Sequence, residues 1–339
     1  MNLLDGCLFV FVIVFSHRSI LARGSCPVKL DHLILSDNGK FKHKVFPNTP
    51  TGFLQLSAWL SKQKVERVHA CMEATGTYGE ALATNLHDAG HVVSVVNPAA
   101  IKAYGQSRLS RTKTDKADAT LIAQFCLERQ PPQWQPLPAE IRELQALVRR
   151  LDALLEMRQM EANRLEVSAA ATAVRESLVG HLAFLDEEVA TTEKLIRTHI
   201  GNHQGLLEQR DLLVTIPGIG STTAAKLLGE ILDVKLYRGA RQLAAFAGLV
   251  PRLHESGTSI KRKARLSKTG APRLRKALYF PAIVAIKHNP QIRALGMRMK
   301  GRGKCSMEII GAAMRKLVHI AYGVLKSGRP FDPEMAKTA

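Results

Sequence analysis

Two stretches of this chain carry carboxylates where a cation could use them. In Cys71-Met72-Glu73-Ala74-Thr75-Gly76-Thr77-Tyr78, Glu73 ends an apolar run just before a glycine turn. An acid there is poorly placed for burial and well placed to bind a cation at the carboxyl edge of a strand. The plainer alternative is an exposed strand-end acid. In Arg111-Thr112-Lys113-Thr114-Asp115-Lys116-Ala117-Asp118-Ala119, Asp115 and Asp118 stand three apart at a helix start and so share one face. Two carboxylates held that close repel unless a cation sits between them, and Mg²⁺, which prefers oxygen ligands, suits the place. The alternative is a pair of ordinary acids favoured by the helix dipole. Three such carboxylates on an α/β domain, in a chain this basic, point to metal-assisted phosphodiester chemistry.

A nucleophile and a phosphate grip are sought in the last third. Ser256 lies in Gly248-Leu249-Val250-Pro251-Arg252-Leu253-His254-Glu255-Ser256-Gly257-Thr258-Ser259, followed by Ser267-Lys268-Thr269-Gly270. A serine hydroxyl is a poor nucleophile until it loses its proton, and surrounding cations lower the energy of the phosphorane-like state it attacks through. From these residues alone, a polar turn with Ser256 and Ser259 solvated is the competing reading. Pro217-Gly218-Ile219-Gly220 precedes a helix, where Gly218 and Gly220 would let backbone N–H groups approach a phosphate. The turn resembles the hairpin of a helix-hairpin-helix element, and it equally suits a tight helix–helix connection.

The elements that must position these groups follow from pattern. Leu30–Ser36, the turn Asp37-Asn38-Gly39 and Phe41–Phe46 form a hairpin, since Asn-Gly supplies positive φ. A helix starts at Pro50. Val65–Ala74 is a buried strand, Thr77–Ala89 a helix, and His91–Val96 a strand ended by Asn97-Pro98. A helix follows to about Gly105, then another from Thr114 to Arg129. Strands alternating with helices indicate an α/β domain. Beyond Pro131-Pro132, Ile141, Leu144, Val148, Leu151 and Leu155 recur at steps of three and four, an a/d seam for a coiled coil or a long helical hairpin. Pairing between chains is the favoured use of that seam, and packing within one domain the alternative. Helical pattern runs to about Ile200, with Gly201–Gln204 as a linker and a further helix over Thr222–Leu232.

The balance of charge names a partner class. The 339 residues carry 48 Lys or Arg against 29 acids, a formal net charge of +19. Between Arg241 and Lys304 there are 16 Lys or Arg and one acid, Glu255, a local balance of +15. That tract, with Arg252, Lys261, Arg262, Lys263, Arg265, Lys268, Arg273 and Arg275, marks the surface for phosphates, with nucleic acid favoured over a membrane. Five scattered cysteines without a CxxC pair argue against a zinc site and a disulfide framework, and fit a reducing cytoplasm. Cys7–Phe15 is nine apolar residues, whereas roughly 20 are needed to span a bilayer as a helix. As a signal peptide it is preceded by Asp5 rather than a basic segment, and no clean small-x-small site follows.

Together, CMEATGTYGEAL (Cys71–Leu82), VVNPAAIKAYGQS (Val95–Ser107), RTKTDKADATLIAQF (Arg111–Phe125), IPGIGSTTA (Ile216–Ala224), FAGLVPRLHESGTS and SKTGAPRLRKAL (Phe246–Leu278) resemble transposases of the insertion sequence 110 family, relatives of the Piv-type invertases. The likeness covers about residues 29–325. It implies a RuvC-like, RNase H-type α/β domain over 29–132 with an Asp-Glu-Asp-Asp carboxylate set, a helical coiled-coil region over 133–204, and a mainly α C-terminal serine transposase domain over 205–330. By that resemblance Glu73, Asp115 and Asp118 are carboxylates two to four, holding Mg²⁺, and Ser256 is the nucleophile, with Ser259 as runner-up. Such proteins recombine double-stranded DNA through a covalent phosphoserine link, are guided by a bridge RNA, and act as dimers or tetramers. The family's first carboxylate sits in a Gly-Ile-Asp-Val-x-Lys strand, seven residues before the Leu-Asp matched by Leu30-Asp31, which puts Gly24 where the aspartate belongs. On a continuous strand Asp31 would face the other side, roughly 23 Å away at about 3.3 Å per residue. Residues 1–28 are therefore expected to be aberrant or non-homologous, through a frameshift or mis-assigned start, and the chain impaired in metal binding and catalysis. A RuvC-like nuclease without strand exchange and an inactive nucleic-acid-binding remnant are the alternatives.

Overall fold

A computed structural model describes residues 9–15, 29–35, 41–63, 67–74, 79–108, 114–167, 172–256 and 260–334. The chain divides into two compact units, Met1–Pro136 and Leu137–Ala339. The first holds strands β1 (Phe9–Phe15), β2 (Lys29–Leu35), β3 (Phe41–Pro47), β4 (Val68–Glu73) and β5 (Val92–Val96), with helices α1 (Pro50–Lys62), α2 (Glu80–Asp88), α3 (Pro98–Ser107) and α4 (Asp115–Arg129). The expected strands and helices of this region are present within a few residues of their anticipated ends. The Asp37-Asn38-Gly39 turn lies outside the described residues, but β2 and β3 pair antiparallel from Lys29↔Pro47 to Leu35↔Phe41, as a hairpin requires.

The sheet order is β3-β2-β1-β4-β5. β1 runs antiparallel to β2 and parallel to β4, which is parallel to β5. Parity along β4 sorts its side chains between two apolar layers. Val68, Ala70 and Met72 pack with Phe53, Leu56, Leu60, Leu82 and Leu86 from α1 and α2. Cys71 faces the other way, against Ile101 of α3 and Ala119, Ile122, Ala123 and Cys126 of α4. The steps 119, 122, 123, 126 are the helical stripe that lays α4 on the sheet.

From the apolar run Cys7–Phe15, residues Phe9–Phe15 form β1, which fills the slot between β2 and β4. A strand with partners on both sides suits a near-continuous apolar run, and FVFVIVF is one. Gly24, where the first aspartate was sought, lies outside the described residues, and the strand itself contains no acid. Asp31 lies on β2, paired with Val14 of β1.

The second unit is helical apart from one hairpin. α5 (Ala139–Val167) and α6 (Thr172–Gly201) pack along each other, followed by α7 (Gln204–Val214), α8 (Ser221–Ile231) and α9 (Ala240–Phe246). Strands β6 (Pro251–Ser256) and β7 (Ile260–Leu266) come next, then α10 (Pro272–Ala277), α11 (Tyr279–His288), α12 (Pro290–Gly301) and α13 (Ser306–Ser327). The seam on α5 is filled from within the chain. Leu144, Val148 and Leu151 share one core with Ile196 and Ile200 of α6, Leu227 and Leu228 of α8, and Leu317 of α13. Leu155, the last seam position, is 36% exposed. Gln145 donates to the Gly229 carbonyl at 3.0 Å, fastening α5 to α8. Among the described residues, no helix is long and apolar enough to cross a membrane.

Candidate active site

Glu73 is the last residue of β4, paired with Val96 of β5, and the chain stays in register one residue further as Ala74 N donates to Val96 O at 2.9 Å. Because Cys71 belongs to the α4 layer, Glu73, two residues on, opens on the same face. α4 begins at Asp115 with Thr114 as its cap: the Thr114 hydroxyl accepts from Ala117 N at 3.2 Å, and Asp118 N donates to the Thr114 carbonyl at 2.9 Å. Asp118, half-buried, stands one turn into the helix beside the buried stripe. Glu73 is half-buried too, and its carboxyl is pushed above the usual carboxylate range, first by burial and then by the negative charge of Asp118. The strand end and the helix start, 45 residues apart in sequence, thus bring two acids into electrostatic contact. Asp115 is one helical turn before Asp118; its side chain lies outside the described residues.

The same face is braced behind the acids. Arg108, just after α3, bonds Gln124 at 2.8 Å and Glu128 at 2.5 Å on α4, and its guanidinium lies 5.2 Å from the Tyr104 ring centroid. Cys71 and Cys126 meet beneath; the Cys71 thiol is held well above its ordinary value by its hydrogen bond with Cys126 and by burial. Two half-buried carboxylates, Asp118 raising the proton affinity of Glu73, are an oxygen donor set with the charge a hard divalent cation would relieve. Among the described residues, no group of three or more His, Cys, Asp or Glu side chains is gathered as a metal cage. The pairing of β1 with β4 sets Val12 beside Cys71 and Ile13 beside Met72. Continued by one residue, that register sets Val14 beside Glu73, and Val14 in turn pairs with Asp31 on β2. The sheet position flanking Glu73 on the central strand is therefore held by valine.

The serine motif forms the β6–β7 hairpin. Ser256 pairs with Ile260 at its closed end, and a register irregularity lies between Arg252 and His254. Ser259 falls outside the described residues, as do the side chains of Ser256, Lys261, Arg262 and Lys263, whose backbones are on the two strands. Arg252 and Arg265 are both exposed and directly opposed across the strands. Like charges in that position destabilise a hairpin, which makes the pair costly in the free protein and useful to one that meets a polyanion. Lys268 and Arg273 are exposed on the chain that follows. Arg275 differs: it donates to the Ala247 carbonyl at 3.0 Å and so holds the end of α9 to α10. The hairpin's base is clamped by backbone bonds from Ala271 N to Phe246 O (2.6 Å) and from Ser267 N to Val250 O (2.9 Å). Gly270 permits this, with φ +133 and a site where a Cβ would stand 2.1 Å from the Phe246 oxygen.

The two glycines of Pro217-Gly218-Ile219-Gly220 have different surroundings. Ile219 N bonds Ile216 O at 2.9 Å, closing a turn with Pro217 and then Gly218 at φ +106 in the middle. A Cβ on Gly218 would lie 2.8 Å from Ala285 Cβ and 2.9 Å from the Pro281 carbonyl on α11, so this glycine serves close packing. Gly220 is exposed at the N-cap of α8, which has no side-chain cap, and a Cβ there meets nothing within 4 Å.

A family model described as a transposase, of the DEDD insertion sequence 110 group, matches residues 29–168. The model of the IS116/IS110/IS902 transposase family matches residues 210–296. The pilin gene-inverting protein of Moraxella bovis is 37% identical over 290 residues, covering 85% of this chain and 89% of that one. The chain belongs to the IS110 family of transposases. The Moraxella lacunata pilin gene-inverting protein is 36% identical over the same shares, and the transposase of insertion sequence element IS1328 from Yersinia enterocolitica is 27% identical over 282 residues, 74% of this chain and 82% of that protein. IS110 transposases are recombinases that act on DNA, and their DEDD-type domains use divalent metal ions. Glu73, Asp115 and Asp118 fall in the first matched segment, and Ser256 with its flanking cations in the second.

Proposed function

We propose that this IS110 transposase recombines double-stranded DNA through the Ser256 hydroxyl, with Glu73, Asp115 and Asp118 holding Mg²⁺ in an RNase H-type domain over residues 29–132. The observation that carries the reading is that Asp118 raises the proton affinity of Glu73, a coupling that a cation between the two carboxylates would relieve. When bound, the ion would stabilise charge on the phosphodiester oxygens. In the transesterification, Ser256 Oγ forms a bond to phosphorus as its proton leaves, the bond from phosphorus to the deoxyribose oxygen breaks, and that oxygen takes up a proton. One phosphoester replaces another, so rejoining by the reverse step needs no external energy source. Arg252, Arg265, Lys268 and Arg273 offset the charge of the attacked backbone. Ser259 is the alternative nucleophile.

The likeness to pilin gene-inverting proteins supports inversion of a DNA segment as one form of the reaction. A bridge RNA that selects the DNA partners, and a dimer or tetramer that holds two duplexes, belong to the same proposal. The family match supports a C-terminal serine transposase domain from about residue 205, joined through the helical region over 133–204. We further infer that this copy is impaired, because the central strand offers Val14 where a carboxylate beside Glu73 would complete a set of four. That observation favours a weakened or DNA-binding-only protein as the second reading. The test is to incubate the chain, and its Val14→Asp variant, with DNA carrying the joined flanks of its own coding sequence, and to look for a denaturation-resistant protein–DNA adduct. The proposal expects an adduct on Ser256, stronger in Val14→Asp and absent in Ser256→Ala. Cleavage undiminished in Ser256→Ala would replace it with a simple nuclease; salt-sensitive binding without cleavage in either chain would leave only a remnant.

A further inference from the structure

A groove of about 890 Å³ crosses the second unit, bounded by α5, the first turn of α8, the end of β7, α10, α11 and the start of α13. Its size falls within the range of sites that take small ligands. Its floor is apolar, with Leu266, Pro281, Ile310 and Met314 among the lining groups. On its rim Phe280 is 74% exposed and Met307 62% exposed, in a chain whose aromatic residues are only 5% of the total. Leaving a large apolar ring in water at a groove edge marks a place where something packs.

The ring is held ready. Tyr279, half-buried, meets Phe280 edge-on, with centroids 5.4 Å apart and planes at 82°, and its hydroxyl lies 3.9 Å from the Met307 sulfur. A planar aromatic surface exposed at a groove edge can stack a nucleobase. The electrostatics select the same ligand. The acids of the α5 wall are neutralised: Asp152 takes Lys226 at 2.5 Å, and Glu156 takes Lys276 at 2.5 Å, a contact that also holds the Glu156 carboxyl below the usual range. Lys268 adds positive charge at the hairpin side, beside Arg275, which is held to the Ala247 carbonyl, and Thr222 and Thr223 present hydroxyls from the first turn of α8. Cations along one wall and an exposed ring at the rim are the two parts of a single-strand site.

We propose that this groove binds an unpaired segment of DNA, stacking a base on Phe280 while its backbone follows Lys268 and the first turn of α8. Leu266 and Lys268 lie at the foot of the β6–β7 hairpin and Ser256 at its closed end, so about five residues of strand, roughly 17 Å, separate Ser256 from the groove. The inference rests on DNA being the substrate, and it is tested by binding in EDTA, so it stands or falls independently of Ser256 chemistry and of any metal.

The experiment measures fluorescence anisotropy of a labelled oligothymidylate, an oligouridylate of equal length and a duplex of equal length, with the full chain, Phe280→Ala and Phe280→Trp. Phe280→Ala should weaken oligothymidylate binding about tenfold, near the low end for loss of one base–aromatic stack. Phe280→Trp should keep the affinity, and duplex binding should stay within about twofold in both variants. Oligothymidylate binding unchanged in Phe280→Ala would overturn the proposal. So would an equal loss for single strand and duplex, or a loss confined to oligouridylate, which would make the groove an RNA site.

Discussion

Replacing Gly218 by alanine separates packing from phosphate contact at the Pro217-Gly218-Ile219-Gly220 turn. The new methyl group would start 2.8 Å from Ala285 Cβ and 2.9 Å from the Pro281 carbonyl, neither of which can swing aside, and the backbone would have to keep φ near +106. Holding a non-glycine residue in so sparse a region costs about 1–3 kcal/mol. Forcing α11 outward costs about 1–3 kcal/mol more. Together these give roughly 4 kcal/mol, a large share of a typical stability of about 5–15 kcal/mol. For a unit spanning Leu137–Ala339, melting should fall by about 8–16 °C at roughly 2–4 °C per kcal/mol. Gly220→Ala is the control, since its Cβ meets nothing within 4 Å and the change at an N-cap costs at most about 1 kcal/mol. The assay is calorimetric melting of both variants, with DNA affinity measured on the folded protein at low temperature. If Gly218→Ala melts like the parent chain, or if Gly220→Ala falls as far, the packing role assigned to Gly218 is wrong.

Other expectations follow from the same geometry. The carboxyl of Glu73 has a folded-state pKa above its unfolded one, so without metal its contribution favours folding below the ordinary carboxylate range and is lost as pH rises through the raised value. Glu73→Gln should flatten that decline in a pH series of melts, and a divalent cation should reverse it in the parent chain. Leu144→Ala, in the filled core of the helical hairpin, should cost about 3–5 kcal/mol by urea unfolding yet leave the oligomeric state in sedimentation unchanged. A change of oligomeric state would mean that the seam joins chains after all. Arg265→Ala and Lys268→Ala should each lower the slope of log affinity against log salt for duplex DNA by about 0.9 per lost phosphate contact. A slope equal to the parent's would remove those residues from the interface.

Local pattern revealed much of the first unit. Helix spacing alone put Asp115 and Asp118 on one face, whereas the parity along Val68–Glu73 and the stripe 119, 122, 123, 126, which turn Glu73 towards the α4 layer, emerge only from the packing. Length rules out a bilayer span for the run Cys7–Phe15 and leaves a strand open, and Phe9–Phe15 is a strand of the sheet. Asp31 is positioned by the antiparallel pairing of β2 with β1, which spacing along the sequence does not reveal. Gly218 and Arg275 owe their roles to partners 67 and 28 residues away, and the exposed ring of Phe280 is visible only once five helices and a strand enclose the groove. A tract of cations in a sequence cannot distinguish the arginine that braces its own backbone from those that face solvent.

The most direct test of the central claim, that Glu73 and Asp118 converge to hold a divalent ion, is Mn²⁺ titration followed by electron paramagnetic resonance on the parent chain, Glu73→Gln, Asp118→Asn and Val14→Asp. Weak binding is expected in the parent, loss in Glu73→Gln and Asp118→Asn, and tighter binding in Val14→Asp. Equal Mn²⁺ affinity across all four proteins would contradict it.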